Sequence, residues 1–160
     1  MSPRAVRSSP RVEPVNVVSS PPIRILVLCT GNSCRSIMAE ALFRQLGGER
    51  IAVESAGSVP AGAVNPLTER VLDEAGIDHA WARSKSMTEF LGREFDHVLT
   101  VCDDAAEACP VFPGPAVRTH WSIPDPALST GTIEERLPIY RSTLADLRGR
   151  ITAFLATLGG

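Results

Sequence analysis

The sequence predicts a single α/β domain with a four-stranded parallel sheet flanked by helices. Three observations carry that expectation. Ile23-Arg24-Ile25-Leu26-Val27-Leu28 is a β-branched and aliphatic run of the kind buried on both faces of a parallel sheet. After it, segments of strand and helix character alternate over one domain length, the pattern of parallel strands joined by crossover helices. The chain has 160 residues, 44% hydrophobic and 21% charged, which suits one core and leaves little room for two. At this size folding buries roughly two-thirds of the unfolded surface, so no disulfide or metal staple is required.

Residues 1–22 hold five Pro, five Ser, three Arg and one Glu, a composition that buries little and reads as a disordered or loosely packed leader to a domain spanning 23–160. The start is Arg/Ser-rich and acid-poor like an organellar transit peptide, but lacks amphipathic periodicity. The first strand begins at Ile23. Ser36 to Gly47 follows as a helix with Ile37, Ala41 and Leu42 on one stripe and Gly47-Gly48 as its stop. Ile51–Ser55 is a second strand. Asn65-Pro66 pairs an N-cap with proline at the first helical position, opening a helix to Ala75 that Gly76 closes. Ser86–Leu91 forms a short helix, Asp96–Val101 a third strand and Ala116–His120 a fourth. Leu137, Tyr140, Leu144, Leu147, Ile151 and Phe154 recur at steps of three and four, an amphipathic helix laid on the sheet. Because Pro138 lacks a backbone donor and clashes with the preceding turn, this helix is expected to begin near Pro138 or to kink there.

A formal net charge of −2 and no long basic run leave no electrostatic footprint for nucleic acid or an anionic membrane. No apolar stretch approaches the ~18 residues of a membrane span, and the N-terminus lacks the apolar region of a secretory signal. A reducing, cytoplasmic location is therefore expected. The four cysteines then need a chemical explanation.

That explanation starts at the end of the first strand, where Cys29-Thr30-Gly31-Asn32-Ser33-Cys34-Arg35-Ser36 forms a Cys-x5-Arg loop running directly into a helix. The helix N-terminus and the loop's backbone N–H groups make a cradle for a tetrahedral oxyanion, and the same positive potential favours a thiolate at Cys29. Gly31 is expected to supply the positive φ of such a turn. Arg35 offers a planar fork of donors for two oxyanion oxygens. Ser36 can hydrogen-bond the thiolate and Asn32 can pin the loop. Taken alone, Cys29 would read as a buried strand-end cysteine; the arginine, glycine and helix around it make it a nucleophile. A nucleotide P-loop is excluded, since no Gly-x4-Gly-Lys-Ser/Thr is present.

With this loop the chain resembles the low-molecular-weight protein tyrosine phosphatase superfamily, and the form Cys-Thr-Gly-Asn-Ser-Cys-Arg-Ser is similar to its thioredoxin-coupled arsenate reductase branch. The likeness runs over roughly residues 23–155. It includes Met38-Ala39-Glu40-Ala41, Glu54-Ser55-Ala56-Gly57, Val64-Asn65-Pro66, Gly76-Ile77-Asp78, Arg83-Ser84-Lys85, Thr119-His120-Trp121 and Asp125-Pro126-Ala127. The resemblance implies reduction of arsenate to arsenite, with phosphate or sulfate as analogues, Asp125 as proton donor to the leaving oxygen, and a Cys102–Cys109 disulfide presented to thioredoxin. The approach Trp121-Ser122-Ile123-Pro124 departs from the glycine and acidic residue that usually precede the Asp-Pro motif. Asn32, Ser36 and Glu40 resemble part of a potassium site, although loop-pinning, thiolate bonding and a solvent-facing helix position explain them equally.

If strands one and three are neighbours, Cys29 and Cys102 stand at one sheet edge about 5 Å apart in the pairing direction, within the disulfide range. Seven residues on a regular helix would place Cys109 about 10.5 Å from Cys102 along the axis. That exceeds the roughly 7 Å limit, so joining them must unwind the segment between. Cys29, Cys102 and Cys109 thus fit a relay. The other readings of Cys102 and Cys109 are a pair of unconnected core thiols or half of a zinc site, and zinc suits the Cys-x4-Cys and Cys-x6-Cys spacings poorly. Cys34 reads as a bystander, with reversible protection of Cys29 as the other role. His79, His97 and His120 read as structural or surface residues, and Trp81 and Trp121 as packing rather than substrate-stacking residues. Two further functions remain open: a phosphatase using Cys29, Arg35 and Asp125, and a non-enzymatic arsenical- or redox-sensing module.

Overall fold

The computed structural model describes residues 20–103 and 109–158. Four strands, β1 (Ile23–Cys29), β2 (Ile51–Gly57), β3 (His97–Thr100) and β4 (Val117–His120), form one sheet in the order β2-β1-β3-β4. Every pairing in it is parallel. Three α-helices accompany the sheet: α1 (Arg35–Gly47), α2 (Pro66–Glu74) and α3 (Ile133–Thr157). The segment expected as a short helix from Ser86 is a 3-10 turn, Met87–Phe90, capped by the Ser86 hydroxyl on the Thr88 N–H. No helix among the described residues is long and apolar enough to cross a membrane.

Period-two alternation along β1 divides its side chains between two buried faces, as a central parallel strand requires. Ile25, Val27 and Cys29 join the larger core with Ile37, Met38 and Leu42 of α1 and Leu144, Leu147 and Ile151 of α3. Leu26 and Leu28 join the other, with Ala56, Phe90, Phe95, Val98 and Phe112. Cys29 therefore emerges on the side where α1 begins. Asn65 caps α2 as expected, its side chain accepting from the Leu67 N–H, and Gly76 leaves the helix at φ 70°.

The expected start of the last helix is corrected. α3 begins at Ile133, more than a turn before Pro138, which sits inside it. Thr132 and Glu135 explain this by a capping box: the Thr132 hydroxyl accepts from the Glu135 N–H at 3.1 Å, and the Glu135 carboxylate accepts from the Thr132 N–H at 2.8 Å. The reciprocal bonds fix the start of the helix just after Thr132, and Pro138 is accommodated inside it with one intrahelical donor missing. Leu155 also replaces Phe154 as the last fully packed position, with Phe154 stacked edge-on against Phe43, His97 and Trp121. The leader expected over 1–22 falls mostly outside the described residues, although β1 does open at Ile23.

Thr132→Ala should destabilise the domain by about 1 kcal/mol in urea unfolding at neutral pH. The bonds from Thr132 hold the Glu135 carboxyl below the ordinary carboxylate range. A depressed carboxyl stabilises the fold above its unfolded pKa and loses that contribution as pH falls through its folded one. The stability difference between wild type and Glu135→Ala, which removes the carboxylate, should therefore shrink on acidification, and a pH-independent difference would contradict the box.

Candidate active site

The loop from Cys29 to Ser36 joins β1 to α1, and its backbone is turned by bonds from the chain beyond β2. The carbonyls of Cys29, Thr30, Gly31 and Ser33 accept from the N–H groups of Ser58, Val59, Ala61 and Asn65 at 3.3, 2.9, 2.9 and 3.1 Å. The Ser84 hydroxyl donates a second bond to the Gly31 carbonyl. In a trans peptide the carbonyl and the next N–H point in opposite directions, so pinning carbonyls outward turns amides inward. The Asn32 N–H shows the result, donating to the Cys29 Sγ at 3.2 Å. No side chain caps α1 at Cys34, which leaves the helix N-terminus opening onto the loop.

The positive φ expected at Gly31 lies instead at Asn32, at 48°. Asparagine tolerates this region better than most residues, and here its side chain enforces it. Asn32 Oδ1 accepts from the Lys85 backbone N–H at 2.7 Å, while Nδ2 donates to Ser36 Oγ at 2.7 Å and to Ser55 Oγ at 3.0 Å. The glycine that the loop does require is Gly57, at the end of β2. A Cβ there would collide with the Thr30 carbonyl oxygen and lie 3.0 Å from the Asn32 nitrogen.

The direction of each hydrogen bond in this buried array is set by its far end. Glu40, 1% exposed, is an acceptor, so the Ser55 hydroxyl donates to Glu40 Oε1 at 2.6 Å. Ser55 Oγ then accepts from Asn32 Nδ2, and so does Ser36 Oγ. That leaves the Ser36 hydrogen for Cys29 Sγ, 2.9 Å away. Two donors therefore converge on the Cys29 sulfur, an environment suited to a thiolate. The solvent-facing alternative for Glu40 is overturned: its second oxygen takes two bonds from Arg44, and the Lys85 Nζ stands 3.7 Å from its first. Burial pulls the Lys85 pKa down, while Glu40 and Glu54 draw it back up.

Arg35 is buried on the opposite side of the loop. Its guanidinium donates to the Ile123 carbonyl at 3.0 Å and lies 3.4 Å from Asp125 Oδ2. The other Asp125 oxygen accepts from the Ala127 N–H and caps the turn Pro126–Leu128. The Asp-Pro loop thus reaches the oxyanion cradle despite its unusual approach, because Ile123 is buried and its carbonyl anchors Arg35.

Cys102 lies two residues beyond Thr100, the β3 partner of Leu28, so it leaves the sheet beside the β1 end that carries Cys29. Both are buried in the same core. Residues 104–108 are outside the described set, and the expected unwinding between Cys102 and Cys109 falls there. Cys109 packs against that core from a partly exposed position and lines a surface cleft of about 310 Å³ with Val111, Phe112, Arg118 and His120. His120, expected as a structural or surface residue, is exposed and lies beside Cys109. Its Nδ1 stands 3.9 Å from the Cys109 sulfur and 2.6 Å from Thr100 Oγ1. Cys34 is buried, and burial pushes its thiol pKa up, opposed only in part by the Thr68 and Ser33 side chains. That environment favours the protonated thiol over the thiolate.

A cysteine–arginine oxyanion loop at the carboxyl edge of a four-stranded parallel sheet, with an Asp-Pro loop closing over it, defines a class of cysteine-dependent oxyanion enzymes. The sequence pattern of the low molecular weight phosphotyrosine protein phosphatases matches residues 24–160, and the chain belongs to that family. It is 39% identical over 133 residues to the arsenate reductase of Halalkalibacterium halodurans, covering 83% of this chain and 95% of that one. Among solved structures, an arsenate reductase in its phosphate binding state superposes with a TM-score of 0.69 at 26% identity, over 84% of this chain and 98% of the other. The thioredoxin-dependent arsenate reductase of Corynebacterium glutamicum superposes with a TM-score of 0.59 at 29% identity, over 86% of this chain and 66% of the other.

Gly57→Ala should force the Thr30 and Asn32 backbone aside at a cost of about 1–3 kcal/mol. Urea unfolding should show that loss together with weaker phosphate binding. Unchanged stability and affinity would mean that the contact between β2 and the loop is slack.

Proposed function

We propose that this protein reduces arsenate to arsenite by a cysteine relay and is returned to its dithiol form by thioredoxin. The observation that carries the reading is the convergence of two donors on Cys29 within an oxyanion loop, with Cys102 leaving the neighbouring strand beside it. The similarity to arsenate reductases, one of them thioredoxin-dependent, supports it.

Arsenate enters the amides of residues 30–36 and competes with Asp125 for the Arg35 guanidinium. The Cys29 thiolate attacks arsenic(V) and displaces an oxygen, which leaves as water with a proton from Asp125. The Cys102 thiolate then attacks the Cys29 sulfur. The sulfur–arsenic electron pair passes to arsenic, so arsenite departs as a Cys29–Cys102 disulfide forms. Cys109 attacks Cys102, releases the Cys29 thiolate and carries the disulfide outward, where the two electrons of a thioredoxin dithiol reduce it.

The loop and Asp125 also suffice for attack on a phosphate ester, which needs no second cysteine. Weak phosphatase activity should accompany reduction.

The test is arsenate-dependent NADPH oxidation in the presence of thioredoxin and its reductase, run beside hydrolysis of an aryl phosphate. Cys29→Ser should abolish both activities and Cys102→Ser only the reduction. Cys109→Ser should release one arsenite per enzyme and stall as a Cys29–Cys102 disulfide visible by peptide mapping. Sustained turnover by Cys109→Ser with thioredoxin alone would refute the relay. Aryl phosphate hydrolysis without arsenate-dependent oxidation would make the protein a phosphatase.

A further inference from the structure

The cluster Asn32, Ser36 and Glu40, which the sequence marks for a potassium ion, is assembled around Lys85. The Lys85 side chain is 5% exposed; its Nζ donates to the Arg83 carbonyl at 3.1 Å and lies 3.7 Å from Glu40 Oε1. The other donors to Glu40 come from Ser55 and Arg44. Asn32 turns its amide hydrogens toward Ser36 and Ser55, and its oxygen is taken by the Lys85 N–H. A potassium ion requires several oxygens facing a common point. Here the carboxylate is met by an ammonium and a guanidinium, and the asparagine presents hydrogens. These residues do not fit a resident potassium ion.

We propose that the Lys85 ammonium is the protein's fixed monovalent cation, a positioning residue that makes the oxyanion loop independent of potassium. Ammonium and potassium ions have the same charge and nearly the same radius, and both favour carbonyl and carboxylate oxygens. The Lys85 ammonium holds such a position between Arg83 and Glu40. Its charge lies against the Glu40 carboxylate, Glu40 fixes the Ser55 hydroxyl, and Ser55 fixes Asn32, whose N–H meets Cys29. Lys85 acts twice on Asn32, through this chain and through its own backbone N–H. Without the ammonium, Glu40 Oε1 and the Arg83 carbonyl face the space it filled, and a potassium ion whose remaining coordination is completed by water is the available substitute.

The inference concerns the loop and does not depend on which oxyanion is turned over, so the readouts are independent of arsenate reduction. The rate of Cys29 alkylation by iodoacetamide, its protection by phosphate, and the thermal midpoint are measured in potassium chloride and in tetramethylammonium chloride at equal ionic strength. The wild type should behave alike in both salts. Lys85→Ala in tetramethylammonium chloride should lose about tenfold in phosphate protection. Potassium chloride should restore most of that loss and raise the midpoint. Lys85→Met, which fills the space without charge, should show the loss but no recovery. A wild type that responds to potassium, or a folded Lys85→Ala protein that behaves alike in both salts, overturns the proposal. If Lys85→Ala does not fold in either salt, the comparison is made on Lys85→Gln, with the same two outcomes deciding.

Discussion

The site rests on one buried carboxylate. Glu40 can only accept hydrogen bonds, and this single fact propagates through Ser55, Asn32 and Ser36 until a hydroxyl hydrogen and an amide hydrogen meet the Cys29 sulfur. Such a chain is costly to bury if any member lacks a partner, and it defines one geometry when all are satisfied. It also explains why the first half of α1 is buried on every side, including Ser36 and Glu40, although a surface helix would expose one face. The loop is thus held by the interior beneath it as well as by the backbone bonds from residues 58–65.

Sheet order supplies the second half of the chemistry. Because β1 lies between β2 and β3, the nucleophile's strand has one neighbour ending in the glycine that seats the loop and another ending toward Cys102. In the proposed reaction the family scaffold supplies oxyanion capture at Cys29 and Arg35, with Asp125 beside Arg35 as the proton donor. The relay adds a thiol buried in the same core and a third at the edge of a surface cleft. In the proposed reaction the cysteines beyond β3 set the reaction type, while the loop holds the anion.

Much of this is legible in the sequence because it is local. The apolar run of β1, the Asn65-Pro66 cap and the Cys-x5-Arg spacing each state their structure within a few residues. The capping box at Thr132 and Glu135 is equally local, but the prohibition attached to Pro138 masks it. Non-local constraints are the ones that escape. Glycine is the usual occupant of positive φ, which points to Gly31, whereas Asn32 adopts it through a bond to Lys85, 53 residues away. Gly57 is required by a loop it does not adjoin in sequence. Glu40 gives no sign of burial, since its partners Ser55 and Lys85 come from other segments, and His120 approaches Cys109 only through the path of β4.

Asn32→Gly tests the central claim, that side-chain bonds to Asn32 rather than backbone tolerance alone form the oxyanion site. Glycine adopts the left-handed conformation freely, so this variant spares the backbone and removes the pins to Lys85, Ser36 and Ser55. Calorimetric titration with phosphate is the measurement, on protein shown by circular dichroism to remain folded. Phosphate affinity should fall by about tenfold or more, since a loop no longer held in place misaligns its donors. Affinity equal to the wild type would show that the loop holds its shape without Asn32, and would contradict the account.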